Sequence, residues 1–171
     1  MKTATYLCLS RLHARHGERE FGKICQKLVA LAFRHGGFTH VVERGVQGVD
    51  IDAAADGKKY TAEIKTTTAS RVVYLPKDAE GLASRSLDGY LPLIGVLRLS
   101  ALSDWYLVDA VHLLPGVLRL ECLRPYRCRD LEGWLQSHFE SVVDRHFEGA
   151  LSGSQAYLDQ VLRQVEEAPA C

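Results

Sequence analysis

The sequence predicts an α/β domain, a mixed central sheet flanked by helices in the order α-β-β-β-α-β-β, with extra helices at the C-terminus. Three observations carry that expectation. An apolar stripe of helical period runs from about Gly17 to Phe33, an alternating segment folds back on itself around Asp56-Gly57, and a proline-led helical segment lies between that hairpin and two further apolar strands.

In "GEREFGKICQKLVALAF", Phe21, Ile24, Cys25, Leu28, Leu31 and Ala32 share one stripe, and Arg19, Lys23 and Lys27 lie outside it. The "RHGGF" glycines end this helix and "THVVERG" reads as a first strand. "GVDIDAAADGKKYTAEIKTTT" then forms the hairpin, because Asp-Gly suits a two-residue turn and glycine accepts positive φ without a Cβ clash. "VVYL" reads as a short strand, "PKDAEGLASRSL" as a helix opened by proline, and "LPLIGVLRL" and "DWYLVDAVHLL" as apolar strands. Beyond Leu131, Trp134, Leu135, Phe139, Val142, Val143 and Phe147 space as one helix. Tyr157, Leu158, Val161, Leu162 and Val165 space as another, with "GALSGS" breaking them apart.

The chain of 171 residues, 47% hydrophobic and 25% charged, has globular usage. A main domain over 1–128 and a helical extension over 129–171, packing on the core or on a dimer partner, is the expected division. No apolar run approaches the ~20 residues that span a bilayer and the first residues are too weakly apolar for a signal peptide, so a cytoplasmic protein is expected. Five cysteines without a C-x-x-C pair suggest neither a disulfide framework nor a zinc knuckle, and the seven scattered histidines complete no zinc site. The formal net charge is zero, but residues 1–128 hold 18 Lys/Arg against 13 Asp/Glu and 129–171 hold 3 against 8. The basic body alone can attract a polyanion.

Fixing the turn at Asp56-Gly57 fixes the register. Ala55 then faces Lys58, and counting outward sets Asp50 across from Glu63, where Cβ atoms lie about 4.5–5.5 Å apart. The period of two puts Asp50, Asp52, Glu63 and Lys65 on one side and Val49, Ile51, Ala53, Ala62 and Ile64 on the other, a core surface. Two facing carboxylates repel unless one is protonated or a cation lies between them. Magnesium suits such a pair, since it takes oxygen ligands and keeps several waters, and it lowers the pKa of a bound water and neutralises charge on a phosphate. Lys65, beside carboxylates, keeps its proton and stabilises that charge. Residues alone leave this weighed against a solvated hairpin face, with Asp52, opposite Thr61, an outer or solvated group.

"VD" followed twelve residues later by "EIK" resembles the PD-(D/E)XK nuclease motif, with Asp50, Glu63 and Lys65 as its two acids and lysine. The helix carrying "GERE" resembles the first helix of archaeal Holliday-junction resolvases, and "VVYLPKDAEGL" the strand and helix after their lysine; the similarity covers about residues 15 to 110. Val49 replaces the usual proline, and the tail after about Pro125 has no counterpart there. The resemblance implies a restriction-endonuclease-like core and a Mg²⁺-dependent DNA endonuclease, with Mn²⁺ able to substitute, acting on branched or duplex DNA as a homodimer. It implies Glu18 as the third carboxylate in preference to Glu20, with the Ile64 carbonyl as a further metal ligand; Arg15 and Lys77, placed by the sequence near the glutamate helix and the post-motif helix, are the expected DNA contacts. Restriction-type or repair cleavage, a DNA-binding module that does not cut, and an interaction domain working through its acidic helices are the alternatives.

Overall fold

The computed structural model describes residues 1–44, 48–100 and 105–167. The expected mixed α/β architecture is found: a five-stranded sheet in the order β1-β2-β3-β5-β6, with helices on both faces. Its strands are β1 (Thr39–Glu43), β2 (Ile51–Ala55), β3 (Lys58–Thr67), β5 (Tyr90–Arg98) and β6 (Trp105–Asp109). β3 and β5 are parallel and every other neighbouring pair antiparallel. The crossover joining β3 to β5 contains β4 (Arg71–Tyr74) and helix α2 (Pro76–Leu87).

Two elements differ from expectation. α1 (Thr3–His35) is two helical stretches that meet at Gly17, whose φ of 76° and ψ of 169° are not helical and are adopted at little cost only by glycine; the stretch after Gly17 is the expected helix, and the one before it is an addition. That first stretch buries Thr5, Leu9 and Leu12, a spacing of four and three that is itself helical. β4 leaves the main sheet and pairs instead with β7 (Gly116–Arg119), an unanticipated strand, as a two-stranded ribbon. β6 is correspondingly shorter than "DWYLVDAVHLL", whose first residue, Asp104, lies outside the described residues. A 3₁₀ segment, Leu120–Tyr126, follows the ribbon.

The C-terminal part, α3 (Arg129–Glu167), is two helical stretches that meet at Ser154, the last residue of "GALSGS", whose φ of 54° and ψ of −147° are not helical. Glu20 of α1 holds that junction, accepting hydrogen bonds from Ser154 Oγ and Gln155 Nε2. One apolar core lies between the sheet and the α1 and α3 layer, and Leu135, Phe139, Val142 and Leu158 of α3 are integral to it. A second, smaller core lies on the other face under α2, the ribbon and the 3₁₀ segment. Trp105 is core, edge-on to Phe139. Among the described residues, no helix is long and apolar enough to cross a membrane.

Candidate active site

The hairpin forms as its turn dictates. Asp56 and Gly57 have φ of 51° and 75°, the two left-handed positions of a type I′ turn. The ladder then runs from Ala55↔Lys58 to Ile51↔Ala62 in the expected register. There it slips. The Asp50 N–H donates to the Ala62 carbonyl at 3.1 Å, one residue short of Glu63, and the Asp50 side chain takes over the next ladder position: Oδ2 accepts the Ile64 N–H at 2.7 Å. The slip turns the chain over, so Val49, expected beside Ile51, is buried in the opposite core with Val72 and Leu82.

Asp50 and Glu63 meet on the α2 face. Burial is the main cause raising both, Asp50 to about 6 and Glu63 to about 7. The negative charge of Asp50 raises Glu63 further, while Asp78 and Glu43 act on Asp50, and the Ile64 N–H and Lys65 oppose them. Lys65 Nζ donates to Glu63 Oε1 at 2.7 Å and to Asp78 Oδ2 at 2.6 Å. Burial works against its ammonium, but the charge of Glu63 and the two hydrogen bonds outweigh that, and its pKa is raised.

Asp78 is the residue that the sequence reading missed. It stands at the third position of α2, buried, where its Oδ2 also accepts the Leu75 N–H at 3.1 Å and caps the helix. An acid two residues after a helix-opening proline was the available signal. That it reaches Lys65 depends on β4 returning α2 to the end of β3. Tyr74 of β4 borders the same group: its hydroxyl is raised by burial and by the charges of Asp78 and Glu63.

The remaining expected residues lie apart. Glu18 is exposed and lines a cavity of about 260 Å³ with His13, Phe21 and Thr66 to Thr68, across the sheet from Lys65. No hydrogen bond among the described residues joins it to Asp50 or Glu63. The α1 residue that reaches Asp50 is Gln26, whose amide donates to Glu43 and Arg44 and approaches the Asp50 carbonyl at 3.5 Å. Arg15 is exposed in a cleft between α1 and α3, near Glu148; Lys77 is exposed beside Asp78.

Two charged residues expected in solvent are buried. Asp52 is 2% exposed and holds two guanidiniums, Arg44 Nη2 at 3.0 Å and Arg85 Nη2 at 2.6 Å, so it is a structural ion-pair centre. Lys27 is enclosed between Glu43 and Asp159 at 3.0 and 2.6 Å, because the two bordering layers, β1 and α3, each supply an acid.

The donor set can be tested for an ion. Asp50 Oδ1 and Glu63 Oε2 take no hydrogen bond from the described residues, and two carboxylates with free oxygens suit a hard divalent cation. Three buried or half-buried acids, Asp50, Glu63 and Asp78, are gathered near one ammonium, and a bound cation would offset the repulsion that helps raise the first two. Among the described residues, no three His, Cys, Asp or Glu side chains converge as a complete metal-holding cluster. The fit therefore rests on a carboxylate pair, with waters or a phosphate oxygen completing the shell.

No family model matches the chain and no curated protein matches it. Among solved structures the chain is similar to the 1.6 Å structure of Archaeoglobus fulgidus Hjc, a Holliday junction resolvase from an archaeal hyperthermophile. Identity is 14% and the TM-score 0.48, over 62% of this chain and 88% of that one.

Proposed function

We propose that the protein is a divalent-metal-dependent endonuclease that hydrolyses DNA phosphodiester bonds, with Asp50 and Glu63 holding Mg²⁺ or Mn²⁺ and Lys65 beside them. The observation that carries this reading is the Asp50, Glu63 and Lys65 group: two desolvated carboxylates with raised pKa values and one held ammonium at a strand end. The spacing of those three residues is also what resembles the PD-(D/E)XK motif.

Within the site each group has a distinct task. Asp50, pinned through Oδ2 to the Ile64 N–H, presents Oδ1, and Glu63 presents Oε2. The Ile64 carbonyl is the further ligand in this reading. Lys65, kept protonated by Glu63 and Asp78, offers positive charge to the phosphate oxygens as negative charge develops there. A bound divalent ion supplies Lewis acidity and an activated water. Glu18 serves this reading only if substrate or ion draws it in, whereas Lys77, exposed next to Asp78, stands ready for a flanking phosphate. Arg15 would belong to a more distant contact. A homodimer would bring two such sites to related strands of branched or duplex DNA.

The test is a panel of four-way junction, duplex, flap and single-stranded DNA with Mg²⁺ and Mn²⁺. Cleavage of at least one substrate, abolished by Asp50→Asn and by Glu63→Gln, is expected; undiminished cleavage by Asp50→Asn refutes the assignment.

One observation favours a second reading, a nuclease-fold module that binds DNA without cutting: among the described residues, no three acid, histidine or cysteine side chains are set to hold an ion together, Asp78 being engaged with Lys65 and the α2 cap. Calorimetry with Mn²⁺ discriminates. Heat that disappears in Glu63→Gln supports the enzyme, and no site-dependent heat supports the module.

A further inference from the structure

The β4–β7 ribbon presents a face that the fold does not use. Its inner side chains, Val72, Tyr74 and Leu118, belong to the second core, which fixes the ribbon to the sheet. Its outer side chains alternate with them. Arg71 lies directly opposite Arg119 and Val73 directly opposite Val117, and all four are exposed.

Directly opposed cross-strand residues have Cβ atoms about 4.5–5.5 Å apart, and like charges in that relation are unfavourable. Arg71 has no partner among the described residues. Among the described residues Arg119 has only Glu121, at 4.0 Å, with both side chains about three-quarters exposed, a contact worth little in water. Lys77, a few residues beyond β4, is exposed and likewise without a partner among the described residues. Two guanidiniums held side by side on a rigid ribbon form a receptor for an anion that carries more than one charge, and their planar forks match phosphate oxygens.

The position of the ribbon decides which anion. β3, which carries Lys65, ends at Thr67 and β4 begins at Arg71, so a short turn joins the site strand to the ribbon, and Tyr74, on the ribbon's inner face, feels the charges of Asp78, Glu63 and Lys65. A polymer of phosphates with one diester at Lys65 would pass over this face with its neighbours.

We infer that the Arg71 and Arg119 face of the β4–β7 ribbon is a nucleic-acid-binding surface that grips backbone phosphates flanking the bond presented to Asp50, Glu63 and Lys65. This inference rests on the nuclease reading for the identity of the polymer, and on the ribbon alone for the surface.

The experiment separates the two. Binding of a labelled duplex and of a four-way junction is followed by fluorescence anisotropy in EDTA, from about 50 mM to about 200 mM salt, for wild type, Arg71→Ala/Arg119→Ala and Arg71→Lys/Arg119→Lys. Both arginines are exposed and directly opposed, so the alanine pair should melt no lower than wild type. The alanine pair is expected to weaken binding about tenfold or more at the lower salt, and to flatten the slope of log affinity against log salt by about 1.8, two phosphates at ~0.9 each. The lysine pair should retain most of the affinity. Unchanged affinity and slope in the alanine pair overturn the proposal. So does a wild type that binds neither DNA, or an effect confined to self-association in sedimentation. A parallel Mn²⁺ cleavage assay reports on the nuclease reading separately. Cleavage with ribbon-independent binding sinks the ribbon alone, and ribbon-dependent binding without cleavage sinks the nuclease alone.

Discussion

Lys65 Nζ lies 2.6 Å from Asp78 Oδ2, a bond between the last third of β3 and the first turn of α2 that closes the crossover over the candidate site. Asp78 thereby does two jobs, capping α2 through the Leu75 N–H and holding the lysine against Glu63. Lys65→Ala should abolish cleavage and also destabilise the fold by about 1–3 kcal/mol, because Glu63 and Asp78 lose their shared donor in a buried setting. Urea denaturation beside the cleavage assay checks this; a variant as stable as wild type would show that the bond contributes only to chemistry.

The raised carboxylates predict a pH dependence. A carboxyl whose folded pKa exceeds its unfolded one binds more protons in the native state, so stability falls as pH rises. For Glu63 and Asp50 the loss begins near the ordinary carboxylate values of about 4 and is complete above their folded values of about 7 and about 6. Glu63→Gln should therefore melt above wild type at about pH 8, and the gap should close as the pH falls toward ~4. Millimolar Mg²⁺ at the higher pH should raise the wild-type melting temperature and not that of Asp50→Asn.

Asp52 tests the opposite balance. Its carboxylate is fully paired, so Asp52→Ala would leave Arg44 without its carboxylate and Arg85 with Asp88 alone. Losing one partner of a buried pair costs ~3–5 kcal/mol; the half-exposed Arg44 can recover water, which lowers the expectation to about 2–3 kcal/mol. The loss should appear in urea denaturation.

Packing between α1 and α3 gives a steric prediction. A Cβ on Gly36 would lie 1.9 Å from the Trp134 ring, which is itself packed against Phe33 and Phe38. Gly36→Ala should cost at least ~1–3 kcal/mol and shift the tryptophan emission, while Gly133→Ala, with open space around it, should be neutral or stabilising.

Truncation after Cys128 should fail to give a folded protein. Leu135, Phe139 and Leu158 of α3 cover the same core as Leu9, Leu12 and Leu28 of α1, so removing them exposes that core. Dye binding to exposed apolar surface and loss of a cooperative melt are the expected readouts. Deletion of residues 131–171 is consequently no test of an interaction role; point substitutions on the exposed side of α3 are.

Asp56-Gly57, the alternation through Lys65, the α1 stripe and the Pro76 helix start were legible in the sequence because each is a local backbone preference or a fixed side-chain period. They were enough to set the sheet and to bring Glu63 and Lys65 to one face. The site is less local. Period alone cannot say where a ladder ends, so it carried Asp50 and Val49 one step too far in regular register, and the slip that puts Val49 in the other core was invisible.

By itself, then, the sequence determined the mixed α/β order, the hairpin with its turn, and the shared face of Glu63 and Lys65. Only the tertiary structure decided that Asp50 grips the Ile64 N–H, that Asp78 completes the charge group, that Asp52 and Lys27 are buried in ion pairs, and that Glu18 stands apart beside Thr66. Those outcomes depend on which layer closes over each face. A buried charge must be met by whatever side chains the neighbouring layers bring, and that is fixed by the crossover and the helix packing rather than by any spacing along the chain.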